Sequence, residues 1–185
     1  MTDSGPATLP LLACWCSRIA SRQTPRYTGD MGEQYDEATA YHEAGHAVLA
    51  LALGRPVHQV TILPNQDRLG QCAFRKGTLR PSEDLVEREM LISLGGVAAE
   101  ARHTGNYAWS SAARDWQYVR GLAVRRAGER RAERLIRRLL AKAEHFLAQE
   151  GHWRAVELIA AELLRRGAIS GRAARHLFEQ GCAAR

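Results

Sequence analysis

No run in this chain is both long and apolar enough to cross a bilayer. Its apolar stretch from Leu9 to Cys16 falls far short of the about 20 residues a spanning helix needs. That stretch has no basic region before it and no persuasive small-residue cleavage site after it, so it does not read as a secretory signal. No G-x-x-x-x-G-K-S/T occurs, which excludes a P-loop cradle for nucleotide phosphates within these 185 residues. Cysteine is scarce as well. Cys14, Cys16, Cys72 and Cys182 form no C-x-x-C, which argues against a zinc ribbon or a thioredoxin-like site. Their spacing predicts free thiols in a reducing, cytoplasmic setting. The charge balance is mildly basic, with 26 Lys and Arg against 20 Asp and Glu. That permits an acidic partner without identifying one.

What is present is the composition of one ordinary globular domain, 45% apolar and 25% charged, long enough to bury a core without disulfides. Residues 1–30 are rich in Ser, Thr, Pro and Gly with no sustained period, which predicts a flexible tail. Met31, directly before a helical pattern, is an alternative start. Residues 31–185 are expected to form the single domain, mainly α with a small β-sheet or hairpin.

Helical periodicity runs from Asp36 to Leu53 and stops at Gly54-Arg55-Pro56. Val57 to Leu63 has the branched residues of a strand, and Gln71 to Arg75 suits a returning one. Pro81 and Ser82 open a second helix, Ser82 serving as N-cap. Gly95-Gly96 inside it implies close packing or a break, since each glycine costs about 1 kcal/mol relative to alanine. Ser110 or Ser111 caps a third helix running toward Ala127 and ended by Gly128. An amphipathic helix follows from about Glu129 to Gln149. Gly151 then separates off a helix near Trp153 to Arg166, and Ser170 caps a last one reaching Gln180.

The residues that carry chemistry are His42-Glu43-Ala44-Gly45-His46, an H-E-x-x-H within the first helix. Four residues make slightly more than one turn, so both imidazoles share a face about 6 Å apart along the axis. That spacing suits two ligands of one Zn²⁺, with Glu43 reaching a water beside the metal as catalytic base. The small Ala44 and Gly45 leave room around a metal. A catalytic zinc usually takes a third protein ligand, and Asp115, Glu100, His58 and His103 are the candidates. Asp115 lies in the first turn of a helix, a well-ordered position, although a carboxylate is also favourable there for the helix dipole alone. Glu100 suits a partner that orients a histidine.

His42 to Ala47, with the following Pro56-Val57-His58-Gln59-Val60-Thr61-Ile62-Leu63-Pro64, resembles the peptidase domain of the FtsH family of ATP-dependent zinc metalloproteases. Leu69-Gly70, Leu94 to Glu100, Ser110 to Val119 and Gly167 to Ser170 match further segments of that family in order. The likeness extends over roughly residues 35 to 180. It implies a zinc peptidase domain of helical type with Asp115 as third ligand and Glu100 in a supporting role. Two departures flank that ligand: Arg114 stands where the family commonly has Asn, and the bulky Trp116 follows.

With no P-loop, the expected activity is ATP-independent endopeptidase cleavage of unfolded polypeptides or peptides, alone or with a separate unfoldase. Self-association is a further expectation from the family's rings. The strand at Val57 to Leu63, or its neighbour, would hold substrate by edge pairing. The alternative is a catalytically inactive zinc-binding domain that recognises extended peptides or acidic partners, although such a domain has no need of Glu43. The basic run Arg125, Arg126, Arg130, Arg131, Arg134, Arg137, Arg138 and Lys142 reads first as a solvated helix face, so no nucleic acid is expected as a partner. Ala160 to Gln180 only weakly suggests a helix-turn-helix.

Overall fold

The computed structural model describes residues 31–64, 70–74, 84–108 and 112–183, with side chains from residue 37 onward. The expected tail at 1–30, the proposed caps Ser82, Ser110 and Ser111, Leu69, and Cys14 and Cys16 lie outside these residues. The described residues form six helices and one small sheet. The helices are α1 (Met31–Ala52), α2 (Leu85–Thr104), α3 (Ala113–Ala127), α4 (Glu129–Ala148), α5 (Glu150–Arg166) and α6 (Gly171–Ala183). The strands are β1 (Val57–Thr61), β2 (Gln71–Phe74) and β3 (Ala168–Ser170). No described helix is long and apolar enough to cross a membrane.

α1 is the spine of the fold. Every residue from His42 to Ala50 is buried, so the helix is enclosed on all sides rather than on one stripe. Such enclosure requires small residues wherever another helix crosses. The crossing partner is α2, itself buried from Met90 to Glu100. A Cβ on Gly45 would lie 2.3 Å from the Gly95 carbonyl oxygen, and one on Gly95 would lie 2.9 Å from the Gly45 carbonyl oxygen. The glycine pair in α2 therefore marks close helix packing and not a break. Backbone cannot retreat as a flexible side chain can. Gly45→Ala is thus expected to destabilise the protein by at least about 1–3 kcal/mol in urea unfolding.

Local chemistry sets the helix ends. α1 stops at Gly54, whose φ of 73° is easy only for glycine, and Arg55 N–H closes onto the Ala50 carbonyl at 2.7 Å. α2 is capped by Asp84, whose carboxylate accepts from the Glu87 N–H at 3.1 Å. α3 follows Ala112, which offers no side-chain cap. Gly128 ends α3 as the sequence suggests. Gly151, read as a separator, instead sits within the first turn of α5, and the chain turns one step earlier at extended Gln149. Ser170 does cap α6, its hydroxyl accepting from the Ala173 N–H at 3.2 Å.

The sheet has order β2-β1-β3, antiparallel throughout. β1 is therefore central, and of the two strands expected to offer an edge only its neighbour β2 does so. β1 pairs Val60 with Cys72 on one side and with Ile169 on the other. The edges are β2 and β3. β2 is described as far as Phe74, and Arg55 lies 4.5 Å above the Phe74 ring while pairing with Glu89 of α2. Cys72 and Cys182 are both free thiols.

Candidate metal centre

One turn of α1 supplies two imidazoles, and their ring nitrogens have different partners. His42 Nδ1 is 2.8 Å from Glu100 Oε2 on α2. His46 Nδ1 is 2.8 Å from the Ile92 carbonyl oxygen on the same helix. A carbonyl oxygen accepts only, and an ionised carboxylate does the same, so each Nδ1 carries the hydrogen. In the neutral form that binds a metal, each Nε2 then keeps its lone pair, directed away from α2's anchoring groups.

These two lone pairs converge with a third donor. His42 Nε2 and His46 Nε2 are 3.1 Å apart. Asp115 Oδ2 of α3 lies 3.2 Å from the first and 3.4 Å from the second. Ligands about 2.0–2.1 Å from a tetrahedral zinc are separated by about 3.3 Å, so this triangle has the dimensions of one face of a zinc tetrahedron. Among the described residues, these three form the group of His, Cys, Asp and Glu side chains suited to a metal. The donor set and its spacing both fit zinc.

Electrostatics agrees. Burial opposes a charge on His42, yet hydrogen bonds with Asp115 and Glu100 and the charge of Glu43 raise its pKa to about 10. His46 is shifted upward too, with burial outweighed chiefly by the Asp115 charge. For Asp115, burial is outweighed by His46 and His42, which hold its carboxyl well below the usual carboxylate range. The pocket thus attracts positive charge despite being enclosed by protein.

Glycine makes the space. A Cβ on Gly96 would stand 2.5 Å from His46 Nε2 and 2.8 Å from His42 Nε2, where the two lone pairs meet. Gly70, at the entry to β2, lies so close to Glu43 that a Cβ there would be 2.8 Å from Oε1. Glu43 is 7% exposed and near enough for its charge to act on both histidines. It therefore stands between the histidine pair and the beginning of an edge strand.

Of the four candidates for third ligand, the structure brings Asp115 to the histidines. Glu100 orients His42 from behind. His58 is exposed on β1 beside Gln59, and His103 stacks on Tyr41 at 3.7 Å and pairs with Glu37 at 3.3 Å. Neither belongs to the cluster. Arg114 is exposed, while Trp116 packs against the core. The Ile92 carbonyl has no signal in the sequence, because any residue there provides the same backbone oxygen. Glu100→Gln is expected to lower metal affinity about 10–100-fold by weakening the fixation of His42, measured by competition with a zinc indicator. An affinity unchanged within threefold would remove Glu100 from the site.

The model of peptidase family M41 matches residues 30–128, more than half of the chain and all the residues of this cluster. The chain belongs to peptidase family M41. Proteins named ATP-dependent zinc metalloprotease FtsH are similar to it. That of Magnetococcus marinus is 41% identical over 86 residues, covering 41% of this chain and 12% of the relative. That of Acidimicrobium ferrooxidans is 38% identical over 104 residues, covering 54% and 16%. The Haemophilus influenzae protein is 30% identical over 148 residues, covering 69% and 23%. The M41 chain thus matches less than a quarter of the length of these relatives, and the helical architecture with its three-stranded sheet accords with an M41 peptidase domain.

Proposed function

We propose that this M41 domain is a zinc-dependent endopeptidase acting on unfolded polypeptides and peptides. The observation that carries the reading is the convergence of His42 Nε2, His46 Nε2 and Asp115 Oδ2 within 3.4 Å of one another, with Glu43 on the same turn of α1. His42, His46 and Asp115 hold the metal, while Glu100 and the Ile92 carbonyl fix the two rings. A bound zinc supplies Lewis acidity, which activates water and polarises a scissile carbonyl. Glu43 accepts the proton of the attacking water and returns it to the departing amine. Its burial limits bulk water around that carboxylate. A domain serving only as a zinc-bearing docking module has no use for an acid at this position.

Substrate would pair with the outer edge of β2, because β1 is occupied on both sides and β2 starts against Glu43. Along a strand, backbone N–H groups point alternately to either side, so of Cys72 and Ala73 one faces β1 and the other the open edge. Cys72→Pro and Ala73→Pro are expected to separate accordingly. The variant that keeps its thermal midpoint is expected to lose at least about tenfold in kcat/KM. Full activity in that variant would place substrate elsewhere.

The relatives are named ATP-dependent, while these 185 residues contain no P-loop. Cleavage of already unfolded chains by this domain is therefore proposed to need no nucleotide. Folded proteins would require a separate unfoldase, and self-association is a further element of the proposal by analogy with the family's rings. The test is digestion of unfolded, dye-quenched casein without ATP. Cleavage that stops with a zinc chelator and returns with zinc supports the reading. Cleavage indifferent to chelation contradicts it.

A further inference from the structure

The positive charge of the chain is concentrated in one helical hairpin. Residues 113–148, covering α3 and α4, hold ten Arg and Lys against four Asp and Glu. The difference of +6 equals the formal charge of all 185 residues, so the remainder is neutral overall. The acids of this face are already engaged. Glu129 pairs with Arg120, Glu133 with Arg137, and Glu87 with Lys142 at 2.6 Å. Arg126 is held by Asp84. Arg125, Arg130, Arg131 and Arg134 are exposed and have no ion-pair partner among the described residues. Two of them, Arg130 and Arg131, occupy the first turn of α4, where the positive end of the helix dipole disfavours cations. Local stability does not account for arginines in that place.

The hairpin is also joined to the metal centre. Asp115 and Tyr118 are three residues apart on α3, and Tyr118 and Arg125 are seven apart, so all three follow one stripe of the helix. Tyr118 is 47% exposed along this stripe. Arg125 lies about 15 Å from Asp115 along the axis, the length of about five residues of extended polypeptide. Beyond it the chain turns at Gly128 into the arginines of α4.

We infer that Arg125, Arg130, Arg131 and Arg134 form an exosite for acidic polypeptide segments, which recruits substrates whose Asp- or Glu-rich stretch lies about five or more residues from the cleaved bond. The inference names a substrate class for the peptidase site proposed above and rests on that reading; the binding surface is testable without it. Carboxylates are the complementary ligand for guanidinium forks, and the attraction is screened as salt rises.

The test uses the full chain and its Arg125→Gln/Arg130→Gln/Arg131→Gln/Arg134→Gln variant. Fluorescence anisotropy follows a glutamate-rich peptide, its glutamine-matched twin and single-stranded oligothymidylate. The glutamate peptide is expected to bind about tenfold or more tighter than its twin, to weaken with salt, and to lose that advantage in the variant. Given a shared cleavable site, the same preference is expected in kcat/KM, with the glutamine peptide cut equally by both proteins. Equal binding of the two peptides, or a preference that survives in the variant, overturns the exosite. Oligothymidylate binding tighter than the glutamate peptide at matched salt overturns it in favour of a phosphate polymer. Selective binding of the acidic peptide without cleavage of any peptide supports the surface and sinks the peptidase reading alone.

Discussion

Glu43→Gln is expected to leave the protein folded and zinc-loaded while lowering kcat on unfolded casein by about a thousandfold. Glutamine has nearly the same shape, so the packing beneath Gly70 is retained. It cannot take a proton from water. Glu43 is not one of the converging donors, which are His42, His46 and Asp115, so metal content should match the wild type. The combination is diagnostic, because a docking role for Glu43 would disturb binding and leave the rate per bound substrate alone. A variant that kept more than a tenth of wild-type kcat would remove Glu43 from the proton-transfer role.

The second large effect is expected at a residue with no side chain. Gly96→Ala would place a methyl group 2.5 Å from His46 Nε2 and 2.7 Å from Cε1 of the same ring, so the ring must rotate or α2 must move. His46 is held by the Ile92 carbonyl and His42 by Glu100, and rotation would break one of those anchors. Zinc affinity is therefore expected to fall by about 100-fold, the upper end of what loss of an anchor to a metal-binding histidine costs. Gly121→Ala on α3 is the control, since nothing lies within 4 Å of a Cβ there. It should bind zinc normally and gain about 1 kcal/mol of helix stability. Equal zinc binding by the Gly96 and Gly121 variants would show that Gly96 does not shape the site.

These two residues also show what the sequence makes legible. His42, Glu43 and His46 are readable because a helix has a fixed period, and four-residue spacing sets two ligands on one face before any tertiary contact is known. Asp115 is ambiguous by the same rule: a carboxylate in a first turn serves a helix dipole as well as a metal. Only the tertiary placement of α3, which brings Asp115 Oδ2 within 3.4 Å of both histidines, separates it from the other candidates. Gly95 and Gly96 announce a constraint, yet only the crossing of α1 and α2 distinguishes close packing from a break. Gly95 meets the backbone of Gly45, while Gly96 faces the histidine rings.

What was illegible has physical reasons too. The Ile92 carbonyl is backbone chemistry and leaves no trace in residue identity. β3 spans Ala168–Ser170, too short for an alternating pattern, so sequence does not show that β1 lies between two partners and that its neighbour β2 is the edge. The start of α2 is hard to read because Ser82 and Asp84 both offer a capping oxygen; the structure has Asp84 accepting from the Glu87 N–H. The strong amphipathicity of α4 was plain from Ile136, Leu139, Leu140, Ala143 and Leu147, all buried. Which arginines on its other face remain unpaired depends on α2, whose Asp84 and Glu87 engage Arg126 and Lys142.

The most direct measurement is zinc stoichiometry by elemental mass spectrometry on purified protein after dialysis against metal-free buffer, beside Asp115→Ala. The account predicts about one zinc per wild-type chain and a large loss in the variant, since a third ligand completes the set. A well-folded wild-type protein that retains no zinc and takes none up when zinc is supplied would contradict it.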